Sequence, residues 1–221
     1  MLYQPGDPEL VADRDVTVKS CTASQKEVPL MKETDKERQA KRYPIILSEY
    51  NPAWPEWYTE EKANLERLIG ADNIFRISHF GSTAVPGLTA KPTIDILLEI
   101  SKAADIDKLI SALPPPDYIY LKEESAPTIS TQQLHLMFLK GYLPDGFAEK
   151  VYHIHVVRPG GWDEKLRFRD YLILHPETAA EYAALKRNLQ KNHMTYRDGY
   201  TEAKGAFIRA VTEKANLAFP D

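Results

Sequence analysis

Thr93-Ile94-Asp95-Ile96-Leu97-Leu98-Glu99-Ile100 is the stretch on which the fold turns. An almost continuous apolar run of this length suits a central β-strand buried on both faces. The carboxylate of Asp95 is costly in such a strand unless it is paired or holds a metal. Just upstream, Phe80-Gly81-Ser82-Thr83-Ala84-Val85-Pro86-Gly87 leaves another apolar segment and runs on to Lys91-Pro92. Small residues, hydroxyls and backbone N–H groups at a turn of this kind suit a phosphate. A tight turn capped by Ser or Thr is the plainer reading of Gly81-Ser82 alone. Lys91 and Asp95 a few residues on strengthen the phosphate reading.

Working outward, Asn73–Phe80 alternates as a strand, with Arg76, Ser78 and Phe80 on one side and Phe75, Ile77 and His79 on the other. Ile45–Leu47 is a short strand candidate. Asn51-Pro52 reads as a helix start, with Asn51 as the cap. Trp54–Ile69 is an amphipathic helix closed by Gly70. Ile106–Leu113 is expected as a helix, and Tyr118–Lys122, Leu134–Lys140 and Val151–Val157 as strands. After Gly160-Gly161, helices are expected over Leu166–Leu174, Ala179–Asn192 and Tyr200–Leu217. The residues therefore predict a mixed sheet covered by helices, in an α+β or α/β layered domain.

The 221 residues are 43% hydrophobic and 27% charged, ordinary for a globular protein. The lone cysteine, Cys21, excludes an intramolecular disulfide and a cysteine-based zinc site, and points to a reducing, cytoplasmic setting. No apolar run approaches transmembrane length, and Met1–Glu9 is unlike a secretory signal. Residues 1–42 hold 8 acidic and 8 basic side chains, so the net charge of −4 belongs to residues 43–221. That balance argues against a duplex nucleic-acid binder. Residues 1–42 show no sustained apolar periodicity and are expected to be a largely disordered or loosely docked extension. The folded domain is expected over residues 43–221.

His79 to Asp95 as a block resembles the signature of the GrpB family. The similarity includes Tyr50-Asn51-Pro52-Ala53-Trp54-Pro55, His153-Ile154-His155-Val156-Val157, Leu166-Arg167-Phe168-Arg169-Asp170-Tyr171-Leu172, Glu181–Lys186 and Tyr200-Thr201-Glu202-Ala203-Lys204. It spans about Tyr43 to Ala218. Ser125–Gly146 is the least similar stretch, with Gln132, Gln133 and His135 where the family usually carries an arginine-containing strand-turn. The resemblance implies an α+β, nucleotidyltransferase-like domain whose central mixed sheet is flanked by N- and C-terminal helices. It also implies a domain sometimes fused to dephospho-CoA kinase. That superfamily sets two carboxylates at alternate positions of one strand, where they hold two divalent cations around a triphosphate. Here Asp95 is followed at that spacing by Leu97, and Glu99 lies ~13 Å along the strand. As a nucleotidyltransferase-like transferase, the chain has an incomplete carboxylate set.

His153 and His155 alternate on one strand and so face one side, where they can ligate a metal, bind phosphate or act as a base; the plainer account is a structural pair. The catalytic candidates are Asp95, His153 and His155, and the same three are the metal candidates. The cofactor expected is a divalent ion, Mg or Mn, or Zn if the His pair ligates. Gly81, Ser82, Thr83, Lys91, Arg169, Tyr200 and Lys204 are the phosphate-binding candidates. Arg169 and Lys91 would make a local positive pocket for a nucleotide or phosphorylated metabolite. The alternative is a non-catalytic domain acting as a partner or folding module. Limited proteolysis is expected to trim the first 42 residues and leave a stable fragment beginning near Tyr43; a tail as resistant as the rest would overturn that boundary.

Overall fold

The computed structural model describes residues 38, 41–122, 134–193 and 202–220. Its elements in chain order are α1 (Trp54–Ile69), β1 (Ile74–Phe80), β2 (Ile94–Ile100), α2 (Ile106–Ala112), β3 (Ile119–Tyr120), β4 (His135–Leu143), β5 (Gly146–Val157), α3 (Asp163–Leu174), α4 (Pro176–His193) and α5 (Gly205–Ala218). The sheet order is β1-β2-β5-β4-β3. β2 and β5 run parallel, and the other neighbours pair antiparallel. This is the α+β architecture with a mixed sheet that the apolar run around Asp95 predicts.

β2 is second in a five-stranded sheet and buried on both sides. Its even positions, Ile94, Ile96, Leu98 and Ile100, pack with Phe138 and Ile154 under α1 and α2. Each fully buried side chain of this size contributes about 1.5–3 kcal/mol. Leu97, on the odd side, joins Phe80, Val157 and Leu166 in a smaller cluster against α3. The helices beyond α3 close on the loop after β1: Val85 and Leu88 pack with Leu172, Tyr182, Ala183 and Val211.

Several boundaries differ from the sequence expectation. Ile45–Leu47 is irregular, and its neighbour Ser48 makes only an isolated bridge with Ala90. Ala53, not Asn51, caps α1; Asn51 instead accepts the Ala53 N–H through its side chain at 2.9 Å. Pro52 and Ala53 form a turn, so the helix starts at Trp54, two residues beyond Pro52, with Pro55 in its first turn. The strand expected over 118–122 shrinks to Ile119–Tyr120. α3 ends at Leu174 and Pro176 opens α4 at its first helical position, where its missing N–H costs nothing, so α4 begins three residues before the Ala179 expected. Tyr200 lies outside the described residues, and the last helix is described as α5 from Gly205.

The β4–β5 hairpin is longer than the alternation signalled, and it carries an irregularity between Lys140 and Tyr142. Lys140 faces α1, where it pairs with Glu61 at 2.5 Å. By simple alternation Tyr142 would share that face. The irregularity turns it to the opposite one, where its hydroxyl meets His153, a use of a bulge to re-aim a side chain. Gly141 makes this shift, with φ at +82° and the position of a Cβ only 2.2 Å from the Lys150 carbonyl oxygen. Gly141→Ala is expected to lower stability to urea by roughly 2 kcal/mol or more, because left-handed strain and a backbone clash combine. An unchanged midpoint would overturn this account of the hairpin.

Candidate functional site

Asp95 leaves the central strand on its odd side. β2 and β5 pair so that Asp95 stands beside His153 and Leu97 beside His155. Across the antiparallel edge Asp95 neighbours Phe80, the last residue of β1. The chain then turns at Gly81, which packs against the carboxylate, and enters a 3-10 turn, Ser82–Ala84. A Cβ at Gly81 would lie 2.2 Å from Oδ2 of Asp95, and its φ of +74° is itself left-handed. Only glycine lets the turn come this close to the carboxylate.

Asp95, His153 and His155 thus share one face, and one ligand atom from each lies within 4.8 Å of the others. Oδ1 of Asp95 is 3.4 Å from Nδ1 of His153, with side-chain exposures of 28% and 14%. The group is sheltered but reachable from solvent. Nε2 of His153 bonds to the Tyr142 hydroxyl at 2.7 Å. Nδ1 of His155 bonds to Nε2 of His135 at 3.1 Å, with the two rings nearly parallel. Trp162 lies against both of those rings, at 5.0 and 4.9 Å.

Burial alone would raise the Asp95 pKa. The His153 hydrogen bond and attraction to His153, His155 and Lys91 outweigh burial and hold it below the usual value. Burial pushes His155 down to about 3, against the pull of Asp95, so the ring is neutral at ordinary pH. Lys204 is lowered by burial, with Asp95 acting to keep it charged, so it stands within electrostatic reach of the carboxylate.

Other expected members are occupied elsewhere. The Thr83 hydroxyl is fully buried, donating to the Thr93 carbonyl at 3.1 Å and bonding to His79 at 3.0 Å. It fastens the turn to β2 and is not offered to a ligand. Arg169 does not extend into the cleft; it is bound to Asp170 and to the His79 carbonyl at 2.6 Å, a clamp on the end of β1. Glu99 is wholly buried and bound to Arg76 and the Gly160 N–H, so it cannot stand in for the missing second carboxylate. Leu97 is equally buried. β2 therefore carries no pair of alternate carboxylates of the kind that holds two Mg²⁺ ions. Lys91 borders a cavity of about 60 Å³ lined by Ile46, Pro92, Phe147 and Val151, whose lining includes neither Asp95 nor the two imidazoles.

Sequence reasoning did not single out Tyr142 as a neighbour of His153, nor the bond from His135 to His155. The four-residue spacing of Tyr182 and Lys186 puts the two on one helix face, which by itself suits a lysine reaching for water. Lys186 instead is 2% exposed, over the Tyr182 ring at 4.6 Å and bonded to the Thr89 carbonyl. Burial, with Lys204 and Arg187 nearby, pushes it down to about 7. Arg187 adds bonds to the Thr89 hydroxyl at 2.5 Å and to Glu49 at 3.0 Å. α4 thereby pins the loop that leads into β2.

The GrpB protein family model matches residues 44–214. This chain belongs to the GrpB family. It is 34% identical over 168 residues to a UPF0157 protein of Pseudomonas aeruginosa, covering 76% of this chain and 66% of that protein. A dephospho-CoA kinase of Mycolicibacterium paratuberculosis is 26% identical over 195 residues, covering 80% of this chain and 47% of the kinase. The crystal structure of conserved protein GrpB from Enterococcus faecalis superposes with a TM-score of 0.67 at 30% identity, over 80% of this chain and 100% of that one. Among the described residues, no helix is long and apolar enough to cross a membrane.

The depressed His155 pKa carries a stability consequence. Between pH 6.5 and 3 the unfolded chain holds a proton on His155 that the folded chain does not, so acidification favours unfolding. Stability is expected to fall by about 2 kcal/mol between pH 7.5 and pH 5 from this group, at about 1.4 kcal/mol per pH unit. Urea titrations at both pH values check it, and His155→Gln should flatten the slope. A slope that His155→Gln leaves unchanged would overturn the assignment.

Proposed function

We propose that the face carrying Asp95, His153 and His155 binds a phosphorylated small molecule, a nucleotide or a related metabolite, in the cytoplasm. The observation that carries this reading is a juxtaposition on one side of β2. The Gly81 turn comes down on the Asp95 carboxylate, the two imidazoles flank it, and Lys91 and Lys204 both act on it electrostatically. The two lysines favour an anion, the close-approaching turn admits one, and the carboxylate–imidazole cluster suits a divalent cation between protein and phosphate. Such a cation, Mg, Mn or Zn, would offset phosphate charge and polarise a P–O bond. Asp95, His153 and His155 would hold that cation, and Ser82 and Lys204 would orient the anion beside it. The reading extends to a divergent nucleotidyltransferase or phosphotransfer enzyme.

A second reading has an observation of its own. Leu97 stands where the superfamily resemblance expects a second carboxylate, and a relative bears the name dephospho-CoA kinase over a longer chain. Both suit a non-catalytic domain that acts as a partner or folding module.

Thermal unfolding with nucleotides, CoA precursors and inorganic phosphate, each with and without Mg²⁺, Mn²⁺ and Zn²⁺, separates the two. A ligand at about one hundred times its dissociation constant should stabilise the fold by ~2.7 kcal/mol. Asp95→Asn, which nearly preserves shape, should weaken binding or any cation-linked turnover by roughly two orders of magnitude. If Asp95→Asn lowers stability and leaves the ligand shift intact, Asp95 is a structural carboxylate and the binding reading falls. If no phosphorylated compound shifts the transition, the non-catalytic reading stands.

A further inference from the structure

The donors that converge beside the Gly81 turn are two nitrogens and one oxygen, and their outer hydrogen bonds bear on which cation they suit. His153 turns Nδ1 to Asp95 and has Nε2 on the Tyr142 hydroxyl. His155 has Nδ1 on His135, which leaves Nε2 as its inward atom. In a metal-binding tautomer each inner nitrogen carries a lone pair and each outer nitrogen a proton. Tyr142 would then accept from His153, and His135 Nε2 would accept from His155. An acceptor on the outer nitrogen fixes the tautomer, holds the ring plane and makes the inner nitrogen a better donor. The rings are also held by stacking. His135 lies 6° from parallel to His155, Trp162 covers both, and Phe80 meets His155 edge-on at 5.3 Å.

Mg²⁺ prefers an all-oxygen octahedron and gives up its waters reluctantly. Imidazole nitrogen suits Zn²⁺ and its first-row neighbours, and a His-His-carboxylate set leaves coordination positions open for water or a ligand oxygen. Among the described residues, no further carboxylate joins the cluster to favour Mg²⁺: Leu97 is apolar and Glu99 is committed to Arg76. We infer that Asp95, His153 and His155 bind a first-row transition-metal dication in preference to Mg²⁺, with His135 and Tyr142 as the positioning residues that aim the two rings. This rests on the reading of the cluster as a cation seat, and it is independent of whether a phosphorylated ligand follows.

Cobalt provides the test. Tag-free, full-length protein, stripped with a chelator, is titrated with Co²⁺ and its visible absorption followed. One equivalent should give a saturating band more intense than that of aqueous Co²⁺, abolished by Zn²⁺ and unaffected by excess Mg²⁺. His155→Gln and Asp95→Asn should remove it. His135→Phe keeps an aromatic ring and deletes the acceptor; Tyr142→Phe deletes only the hydroxyl. Each should weaken Co²⁺ binding by roughly 10–100-fold and alter the band, with His135→Gln, which restores an acceptor, recovering part of the loss. Circular dichroism of the metal-free variants checks that each is folded. Absence of the band, its survival in folded Asp95→Asn, or equal competition by Mg²⁺ would overturn the metal assignment. Unchanged affinity in both His135→Phe and Tyr142→Phe would overturn the positioning roles. Phosphate or nucleotide binding by calorimetry without a cobalt band sinks this inference alone. A cobalt band without such binding sinks only the phosphate reading.

Discussion

The parallel pairing of β2 with β5 is the constraint on which the rest depends. It sets Asp95 beside His153 and Leu97 beside His155, and slipping either strand by one residue would send the carboxylate and the imidazoles to opposite faces. The even face of β2 resists that slip. Ile94, Ile96, Leu98 and Ile100 are wholly buried against α1 and α2, so a shifted register would turn four apolar side chains out of the core. The same burial that holds the sheet together fixes the polar constellation on its other side.

The buried carboxylates Glu61 and Glu99, away from the cluster, are bound to dedicated partners. On the α1 face, Glu61 accepts from Tyr118 at 2.7 Å and from Lys140 at 2.5 Å. At the far end of β2, Glu99 takes Arg76, which also reaches Asp163 at 2.5 Å at the start of α3. These networks tie helices to sheet and commit the buried Glu61 and Glu99 carboxylates. Asp95 differs. Its company is imidazole and the electrostatic reach of two lysines, under a turn that only glycine permits.

The legible and illegible parts divide along physical lines. β2 can be read because burial on both faces forces an apolar run, and His153 with His155 because a period of two puts both on one side. The helix from Trp54 announces itself by apolar spacing, whereas α3 starts at Asp163, three residues before the Leu166 expected, because its first turn is acidic and polar. Tyr142 cannot be read by alternation, since a local irregularity at Gly141 overrides the period. Arg169 and Thr83 carry the residue types of a phosphate site but are drawn off by backbone carbonyls, those of His79 and Thr93, whose positions exist only in the folded chain. Lys186 looks like a surface lysine because nothing in the spacing reveals that the Thr89 turn will fold over it. His135 stood in view as a residue type. Its role depends on a cross-strand neighbour, and that requires the register of β4 on β5.

The β2–β5 pairing also bears on how the chain reaches its native state. β5 joins β2 only after α2, β3 and β4 have intervened, so the carboxylate and the imidazoles meet through a contact of long sequence separation. Such contacts close large loops and form slowly compared with hairpins and helices. The β4–β5 hairpin can bring His135 to His155 and Tyr142 to His153 early, through local pairing. Two imidazoles with their outer nitrogens already engaged can thus exist before Asp95 arrives. The cluster is completed by the same event that closes the sheet, so a chain that has not finished folding presents half a site, and a cation bound by all three residues would favour the finished topology over every partial one.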